Sequence, residues 1–175
     1  MFTPKQQAGF NSWANERIYH ACEKVGEPAV RQERSAFFGS IFGTLNHLLL
    51  VDILYMDRLR GRKTRFKRLD ETVCAAFPEL RDRQSAMDAE YVDYLGTLGA
   101  AELAGNVTFT TLLSDAQVWT VPMPIYLTNL FQHQAHHRAQ IHNMLSQCGI
   151  EPPPIGFVEY CVEEGELPRP ARPAG

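Results

Sequence analysis

Three histidines stand close together near the end of the chain, in the stretch QHQAHHRAQ at residues 132–140. His133 and His137 are four residues apart, so on an α-helix they project from the same face, about 6 Å from each other. That separation suits two imidazoles that bind one divalent ion. His136 is adjacent to His137 and can share a face with His133 only, so we assign it to the rim of such a site.

The segment around these histidines has helical periodicity. Two of the six residues on its main stripe are histidines at positions where apolar residues are expected. A neighbouring stripe, which includes His136 and Gln140, is polar and forms the rim of the buried face. Buried histidines that are simply hydrogen-bonded would give the same pattern as metal ligands, so the spacing alone leaves both interpretations open. The main stripe consists of Tyr126, Leu130, His133, His137, Ile141 and Met144.

Four segments have the apolar spacing and the end signals of long helices. Before the last of them, the stretch NVTFTTLLSDAQVWTVPM is rich in β-branched and aromatic residues and has a turn signal at Ser114-Asp115, which predicts a short β-hairpin. The predicted fold is therefore all-α, a four-helix bundle with a short β-hairpin before the last helix. The predicted helices cover about residues 4–24, 35–60, 78–98 and 122–149.

A metal site in a helix bundle takes its ligands from facing helices, so a third ligand is expected outside the last helix. His47 is the better candidate, because it lies in the middle of the second helix among apolar residues, in TLNHLLLVD. His20 lies near the end of the first helix, where the helix dipole alone favours a cation. Asp52 and Gln140 could orient a ligand or water, although capping or surface polarity would also account for both.

Composition places the chain among ordinary globular proteins. It has 175 residues, of which 45% are hydrophobic and 21% charged, and its formal net charge is -3, so we expect neither nucleic acid nor an anionic membrane as a partner. The basic stretch GRKTRFKRLDE is interpreted as a solvated loop rather than an anion-binding surface. We expect a single domain over residues 1–150 and an acidic, then Pro-rich tail over 151–175, whose last ten or so residues are disordered.

Cysteine spacing and hydropathy predict a cytoplasmic protein with reduced thiols. The four cysteines contain no CxxC pair, and the first residues, MFTPKQQAGFNSWANE, lack the apolar core of a signal peptide. No stretch approaches the roughly 18–20 apolar residues of a membrane span, because even HLLLVDILYM is interrupted by Asp52.

Two longer stretches, FFGSIFGTLNHLLLVDILYMDRLRG and LTNLFQHQAHHRAQIHNMLSQCGIEPP, resemble the DinB (damage-inducible) family of four-helix-bundle proteins. ANERIY in the first helix fits the same family, so the similarity covers about residues 11–153. The resemblance implies an up-down-down-up bundle, commonly dimeric, in which three histidines bind a divalent metal such as nickel, zinc or iron.

The family motifs can be placed on this sequence residue by residue. The family's Asn-His pair falls on Asn46 and His47, and its HxxHHRxQ motif falls on residues 133–140, with Ala139 where many relatives have glycine. The resemblance therefore implies His47, His133 and His137 as the metal ligands, which are the residues that the periodicity favours.

Three neutral imidazoles leave a coordination position open on a zinc-like ion, which is the pattern of a catalytic site. The family includes transferases and isomerases that use low-molecular-weight thiols, so one hypothesis is metal activation of a small thiol for attack on an electrophile. A metal-dependent hydrolase and a non-catalytic metal-binding stress-response protein are the alternatives. We also expect a homodimer, because the second helix is apolar around most of its circumference.

Overall fold

The computed structural model describes residues 2–112 and 115–169 and shows a mostly helical protein. Four long helices form its body, and a two-stranded antiparallel hairpin precedes the last of them, so the predicted fold class is confirmed. In chain order the elements are α1 (Pro4–Val25), α2 (Glu27–Arg31), α3 (Ile41–Leu59), α4 (Phe77–Thr97), α5 (Ala100–Leu103), β1 (Asn106–Thr110), β2 (Val118–Pro122), α6 (Met123–Ser146) and α7 (Phe157–Glu163).

The four long helices run up, down, down and up. Two apolar clusters fill the bundle, and one of them joins the C-terminal halves of α1 and α6 to the N-terminal halves of α3 and α4. The other cluster joins the opposite halves of the same helices. Helices α1 and α6 are therefore parallel to each other and antiparallel to α3 and α4. Both α1 and α3 pack between α4 and α6, so α1 and α3 lie across the bundle from each other.

Helix α3 begins later than the sequence predicted. The apolar spacing predicted a start near Ser35, whereas the first helical residue is Ile41. The Ser40 hydroxyl caps the helix by accepting a backbone N–H of the first turn at 3.0 Å. Gly39 has a φ of 72°, which turns the chain out of the helix at this point. Phe38 therefore lies in the loop before α3.

Most of the apolar side chains of α3 are buried by the rest of the same chain. Packing within one bundle therefore accounts for most of the apolar circumference of this helix, and the homodimer stays a prediction. Large apolar side chains are instead exposed on β2 and in the first turn of α6, at Val118, Trp119 and Ile125. The buried apolar residues of α3 are Ile41, Phe42, Leu45, Leu48, Leu49, Leu50, Val51, Leu54 and Met56.

The hairpin packs on the C-terminal end of α3. Arg58 lies over the ring of Phe109 at 4.1 Å and donates a hydrogen bond to the Thr110 carbonyl at 3.0 Å. This contact supplies the support that an isolated hairpin needs. The turn predicted at Ser114-Asp115 falls partly on residues 113–114, which lie outside the described residues.

The chain after α6 returns to α1, and the sequence did not predict the helix that it forms there. Phe157 and Tyr160 of α7 contact the ring of Phe10, with ring centroids 5.0 and 5.7 Å apart. Glu163 accepts a hydrogen bond from the Trp13 indole at 2.8 Å. The disorder predicted for the last ten or so residues falls largely on residues 170–175, outside the described part of the chain.

In the parts of the chain that the structure describes, no helix has both the length and the apolar character needed to cross a membrane. All four cysteines are free thiols, and three of them are buried.

A buried polar network crosses the centre of the bundle. Asp52 of α3 accepts hydrogen bonds from the amide nitrogens of Gln84 on α4, at 2.7 Å, and Gln134 on α6, at 2.6 Å. Gln84 also donates to Asp88, one turn further along α4, at 3.1 Å. These side chains therefore connect three of the four long helices.

Helix α1 completes this central network. Asn15 donates to both carboxylate oxygens of Asp88, at 3.0 and 3.1 Å. Arg138 of α6 donates to the side-chain oxygens of Asn11 and Asn15. Every member of the network is at most 4% exposed, so its hydrogen bonds replace contacts with water that folding has removed.

We expect Asp88 to make stability depend on pH. Burial raises the pKa of Asp88 to about 6, so between about pH 4 and pH 6 the folded protein keeps a proton that the unfolded chain has released. The folded state binds more protons in this window, so the contribution of Asp88 to the free energy of unfolding falls as pH rises.

Thermal unfolding of Asp88→Asn and the wild type from pH 4 to 7, followed by circular dichroism, measures this effect. The free energy of unfolding of the variant minus that of the wild type should rise up to about pH 6 and then level off. The reason is that the amide that replaces the carboxyl group cannot ionise, whereas Asp88 can. A difference that stays constant across this range would contradict the prediction.

Candidate metal centre

Three histidine side chains meet between α3 and α6. His47 comes from the middle of α3, and His133 and His137 come from successive turns of α6. The Nε2 atoms of His47 and His133 are 3.1 Å apart, and the His137 ring centroid lies 4.7 Å from that of His47 and 4.4 Å from that of His133. One nitrogen of each ring lies within 4.8 Å of the other two, so the group could hold a metal ion.

Hydrogen bonds orient two of the three rings. His47 Nδ1–H donates to the Leu69 carbonyl at 2.7 Å, and His137 Nδ1–H donates to Gln140 Oε1 at 2.8 Å. A proton on Nδ1 leaves the lone pair on Nε2 free for an ion, and such hydrogen bonds are the usual means of fixing a metal-binding histidine. His133 lacks this support, because its Nδ1 is buried without a partner among the described residues.

The donor atoms fit a divalent ion of the zinc type. Two imidazole nitrogens bound at about 2.0–2.1 Å to a tetrahedral ion lie roughly 3.3 Å apart, close to the 3.1 Å between the Nε2 atoms of His47 and His133. Within the described residues the group contains imidazoles alone, with no carboxylate or thiolate. Neutral donors would leave the positive charge of a bound ion uncompensated.

The histidines are neutral near physiological pH. Burial, with a smaller contribution from neighbouring histidines, lowers the pKa of His47 to about 4 and that of His133 to about 3. Burial also lowers the pKa of His137. Because an imidazole must be unprotonated to bind an ion, protons compete weakly for this site at neutral pH.

Two loops close over the His47 side of the group. Phe38 stacks on the His47 ring with centroids 4.0 Å apart and an interplanar angle of 20°. Arg34, in the same loop, donates to Cys148 Sγ at 2.9 Å and so ties this loop to the end of α6. The second loop is the basic stretch at residues 61–71, which was predicted to be solvated, yet its Leu69 carbonyl binds His47.

The other site residues proposed from the sequence lie in three different positions. His136 is exposed, its ring lies edge-on to the His137 ring with centroids 4.9 Å apart, and its Nε2 is 3.1 Å from the amide nitrogen of Gln140, so it borders the histidine group from outside. Gln140 is half-buried and bonds His137 directly. Asp52 is 1% exposed, so surface polarity does not describe it, and both its carboxylate oxygens accept hydrogen bonds from glutamines of the central network.

Sequence reasoning did not identify Gln134 and Arg138 as buried. Gln134 follows His133 in the sequence and Arg138 follows His137. Both side chains project from α6 toward the centre of the bundle, where they are buried. Their signal was a second stripe with a spacing of three or four residues, from Leu130 through these two residues to Ile141 and Leu145. The buried face of α6 is therefore wider than the single stripe indicated.

Comparison with known proteins identifies relatives along almost the whole chain. The sequence model of the DinB family matches residues 1–167, a span that includes all three histidines and α7. "Protein DinB" of Bacillus subtilis (strain 168) is 22% identical over 165 residues, which cover 86% of this chain and 89% of that protein.

The geometry predicts which histidines a metal ion needs. Replacing His47, His133 or His137 by Ala removes one donor and should weaken zinc or nickel binding by more than about a hundredfold, beyond the loss typical of an outer contact. His136→Ala should keep stoichiometric binding, with at most a tenfold to hundredfold loss, since His136 contacts His137 and Gln140 but is not one of the three converging donors. Calorimetric titration of the four single variants measures both effects.

His136→Ala is the matched control, because it removes an imidazole from the same turn of α6. Loss of binding in His136→Ala together with normal binding in His137→Ala would show that the wrong face of α6 had been assigned to the ion.

Proposed function

Since the chain belongs to the DinB family, we propose that it is a metal-dependent enzyme whose divalent ion is bound by His47, His133 and His137. The observation that carries the proposal is the convergence of three neutral imidazoles, two of them oriented by hydrogen bonds through Nδ1. Three protein ligands leave one coordination position of the ion open for a substrate. Such an open position distinguishes catalytic metal sites from closed structural ones. Imidazole ligands suit nickel, zinc and iron alike, so the ion is proposed as one of these three.

The reaction that we propose is transfer of a low-molecular-weight thiol to an electrophile. A divalent ion in this site would lower the pKa of a thiol bound to it and so supply the nucleophilic thiolate. The thiol proton would pass to water, the sulfur would bond to the electrophilic carbon, and the leaving group would depart with its electron pair. The neutral histidines favour this chemistry because they do not offset the charge that stabilises the thiolate.

This reaction fits the site better than hydrolysis does. Hydrolytic metal sites commonly have a carboxylate as general base beside the ion. Asp52 was the acid expected near His47, and its oxygens are bound to Gln84 and Gln134 in the central network. A thiol whose pKa the ion would lower below the ambient pH would release its proton to water and needs no such base.

The protein residues have separate tasks in this proposal. The Leu69 carbonyl and Gln140 hold His47 and His137 with Nε2 toward the ion, and Phe38 shields one face of the His47 ring from water. The free cysteines fit a reducing compartment, so we propose the cytoplasm as the site of action.

We also propose a homodimer. The support is the exposure of Val118, Trp119 and Ile125, which are 71%, 52% and 60% exposed in the single chain. Exposed apolar groups of this size are common in protein interfaces.

Chelation tests the metal dependence of the activity. The metal-loaded protein should transfer a small thiol to a chromogenic electrophile, and a chelator should abolish the transfer. The helical circular dichroism should stay nearly unchanged, because the apolar core of a chain of this size is sufficient for folding without the ion.

His136→Ala serves here as the active control, and His47→Ala should lack the activity. Full activity of a metal-free preparation would refute the mechanism, and unfolding on chelation would show that the ion is structural. Stoichiometric metal with no transfer to any thiol acceptor would favour the non-catalytic metal-binding protein.

Sedimentation velocity tests the dimer. The wild type should sediment as a dimer at micromolar concentration, and Val118→Lys combined with Ile125→Lys should give a monomer that still binds zinc, because both side chains lie outside the histidine group. A monomeric wild type would contradict the prediction.

A further inference from the structure

We propose that a small pocket between α1, α6 and α7 is a second ligand site, which binds an organic anion with one aromatic ring and one carboxylate group. The pocket lies on the α1 side of α6, and none of the three converging histidines lines it. This site does not depend on the enzymatic function proposed for the histidines.

Phenylalanine rings form the walls of the pocket. Its volume is about 240 Å³, and an apolar cavity of about 150 Å³ is enough to hold benzene. The rings of Phe10 and Phe157 pack edge to face with centroids 5.0 Å apart, and Phe2 meets Phe157 in the same way at 4.3 Å. These contacts hold three of the rings in place, so the walls are formed in advance for a flat apolar group. The four rings are Phe2, Phe10, Phe131 and Phe157.

A buried guanidinium group lies at the floor of the pocket. Arg138 of α6 lines the pocket although it is only 2% exposed. Its Cζ lies 5.9 Å from the centroid of the Phe10 ring, and its Nη1 donates to Asn11, which also lines the pocket. The charged end of this side chain is therefore the part that borders the pocket.

One edge of this guanidinium group is unused. Both hydrogen bonds that Arg138 donates within the described residues come from Nη1, to Asn11 and Asn15. Nε and Nη2 have no acceptor there, and neither is among the polar atoms that lack both a partner and accessible surface, so a ligand can reach them. The N–H groups of Nε and Nη2 form the fork that binds both oxygens of one carboxylate.

The charge of Arg138 is only partly balanced by the protein. Arg138 forms no ion pair with any of the described residues. Asn15 connects it to Asp88, because Asn15 accepts a hydrogen bond from Arg138 and donates one to Asp88. Burial lowers the pKa of Arg138 to about 10, although Asp88 and Asp52 act to raise it. A buried guanidinium without a close counterion is rare and costly, so a carboxylate that enters the pocket would supply the missing partner.

Gln7 of α1 offers a second donor in the same pocket. It is half-buried, and its side-chain amide forms no hydrogen bond within the part of the chain that the structure describes. An aromatic carboxylate could accept from Arg138 and Gln7 while its ring packs against the phenylalanines. An inorganic anion would make no use of the apolar walls, and a cation would be repelled by Arg138.

Phenylacetate, which joins one phenyl ring to a carboxylate, is a suitable probe. Calorimetric titration of the zinc-loaded full chain should show saturable binding of phenylacetate. 2-Phenylacetamide has the same shape without the charge and should bind at least about tenfold more weakly, because hydrogen bonds between charged groups are the stronger ones. The same titrations of His133→Ala, in which the ion site lacks a donor, should give the same affinities, since a carboxylate bound to the ion would be lost there.

Two variants separate the apolar walls from the guanidinium group. Phe131→Ala removes one wall and should weaken the binding of phenylacetate and 2-phenylacetamide alike, by roughly three- to tenfold. Phe37→Ala is the matched control, since Phe37 is 88% exposed and lies outside the pocket, and it should leave both affinities unchanged. Arg138→Gln should instead remove the preference for phenylacetate over 2-phenylacetamide, because the glutamine amide donates without a charge.

Four results would overturn the proposal. They are absence of saturable phenylacetate binding, equal affinities of the wild type for phenylacetate and 2-phenylacetamide, equal affinities of Phe131→Ala and Phe37→Ala, and loss of phenylacetate binding in His133→Ala, which would place the carboxylate on the ion. If Arg138→Gln does not fold, Gln7→Leu replaces it. Weaker binding of phenylacetate by Gln7→Leu than by the wild type then supports the site, and unchanged binding refutes it.

Discussion

The hydrogen-bonded network at the centre of the bundle fixes the rotation and the axial position of the four long helices. Apolar packing tolerates small shifts between helices, whereas a shift of the network would leave buried amides and carboxylates unpaired. Gln134 and Arg138 are neighbours of His133 and His137 on α6. The hydrogen bonds of Gln134 and Arg138 fix the rotation of α6, and this rotation sets the direction in which the two histidines project. The geometry of the histidine group thus depends on side chains that do not touch it.

The same network divides the bundle into two faces with different chemistry. On the α3 and α6 face, neutral imidazoles converge, and bonds from Leu69 and Gln140 orient two of them. On the α1 and α4 face, acidic side chains surround a cleft whose floor includes Asp88. Because the acids lie away from the histidines, an ion bound there would keep its full charge, as the proposed thiol chemistry requires.

Local signals predicted most of the helices and the candidate ligands. The ends of α1, α4 and α6 follow proline, glycine and apolar spacing, and the four-residue separation of His133 and His137 is itself a helical signal. Contacts between distant segments were not predictable in this way. The hydrogen-bond partners of Asp52, Gln84 and Gln134, are 32 and 82 positions away from it in the sequence. The residues next to Asp52 therefore could not predict its place in the network. Phe38 was misassigned because an apolar pair before a helix resembles its first turn.

The order of the helices also determines when a metal site can exist during folding. Among the described helices, no two consecutive long ones form an adjacent antiparallel pair, since α1 packs on α4 and α6 while α3 and α4 run in parallel. His47 and His133 are 86 residues apart, and Arg138 bonds to Asn11 across 127 residues. Such contacts form only after long loops have closed, which slows folding compared with an up-down-up-down bundle. An ion that requires both helices therefore binds only chains that have completed their fold, and it cannot act as the nucleus from which folding starts.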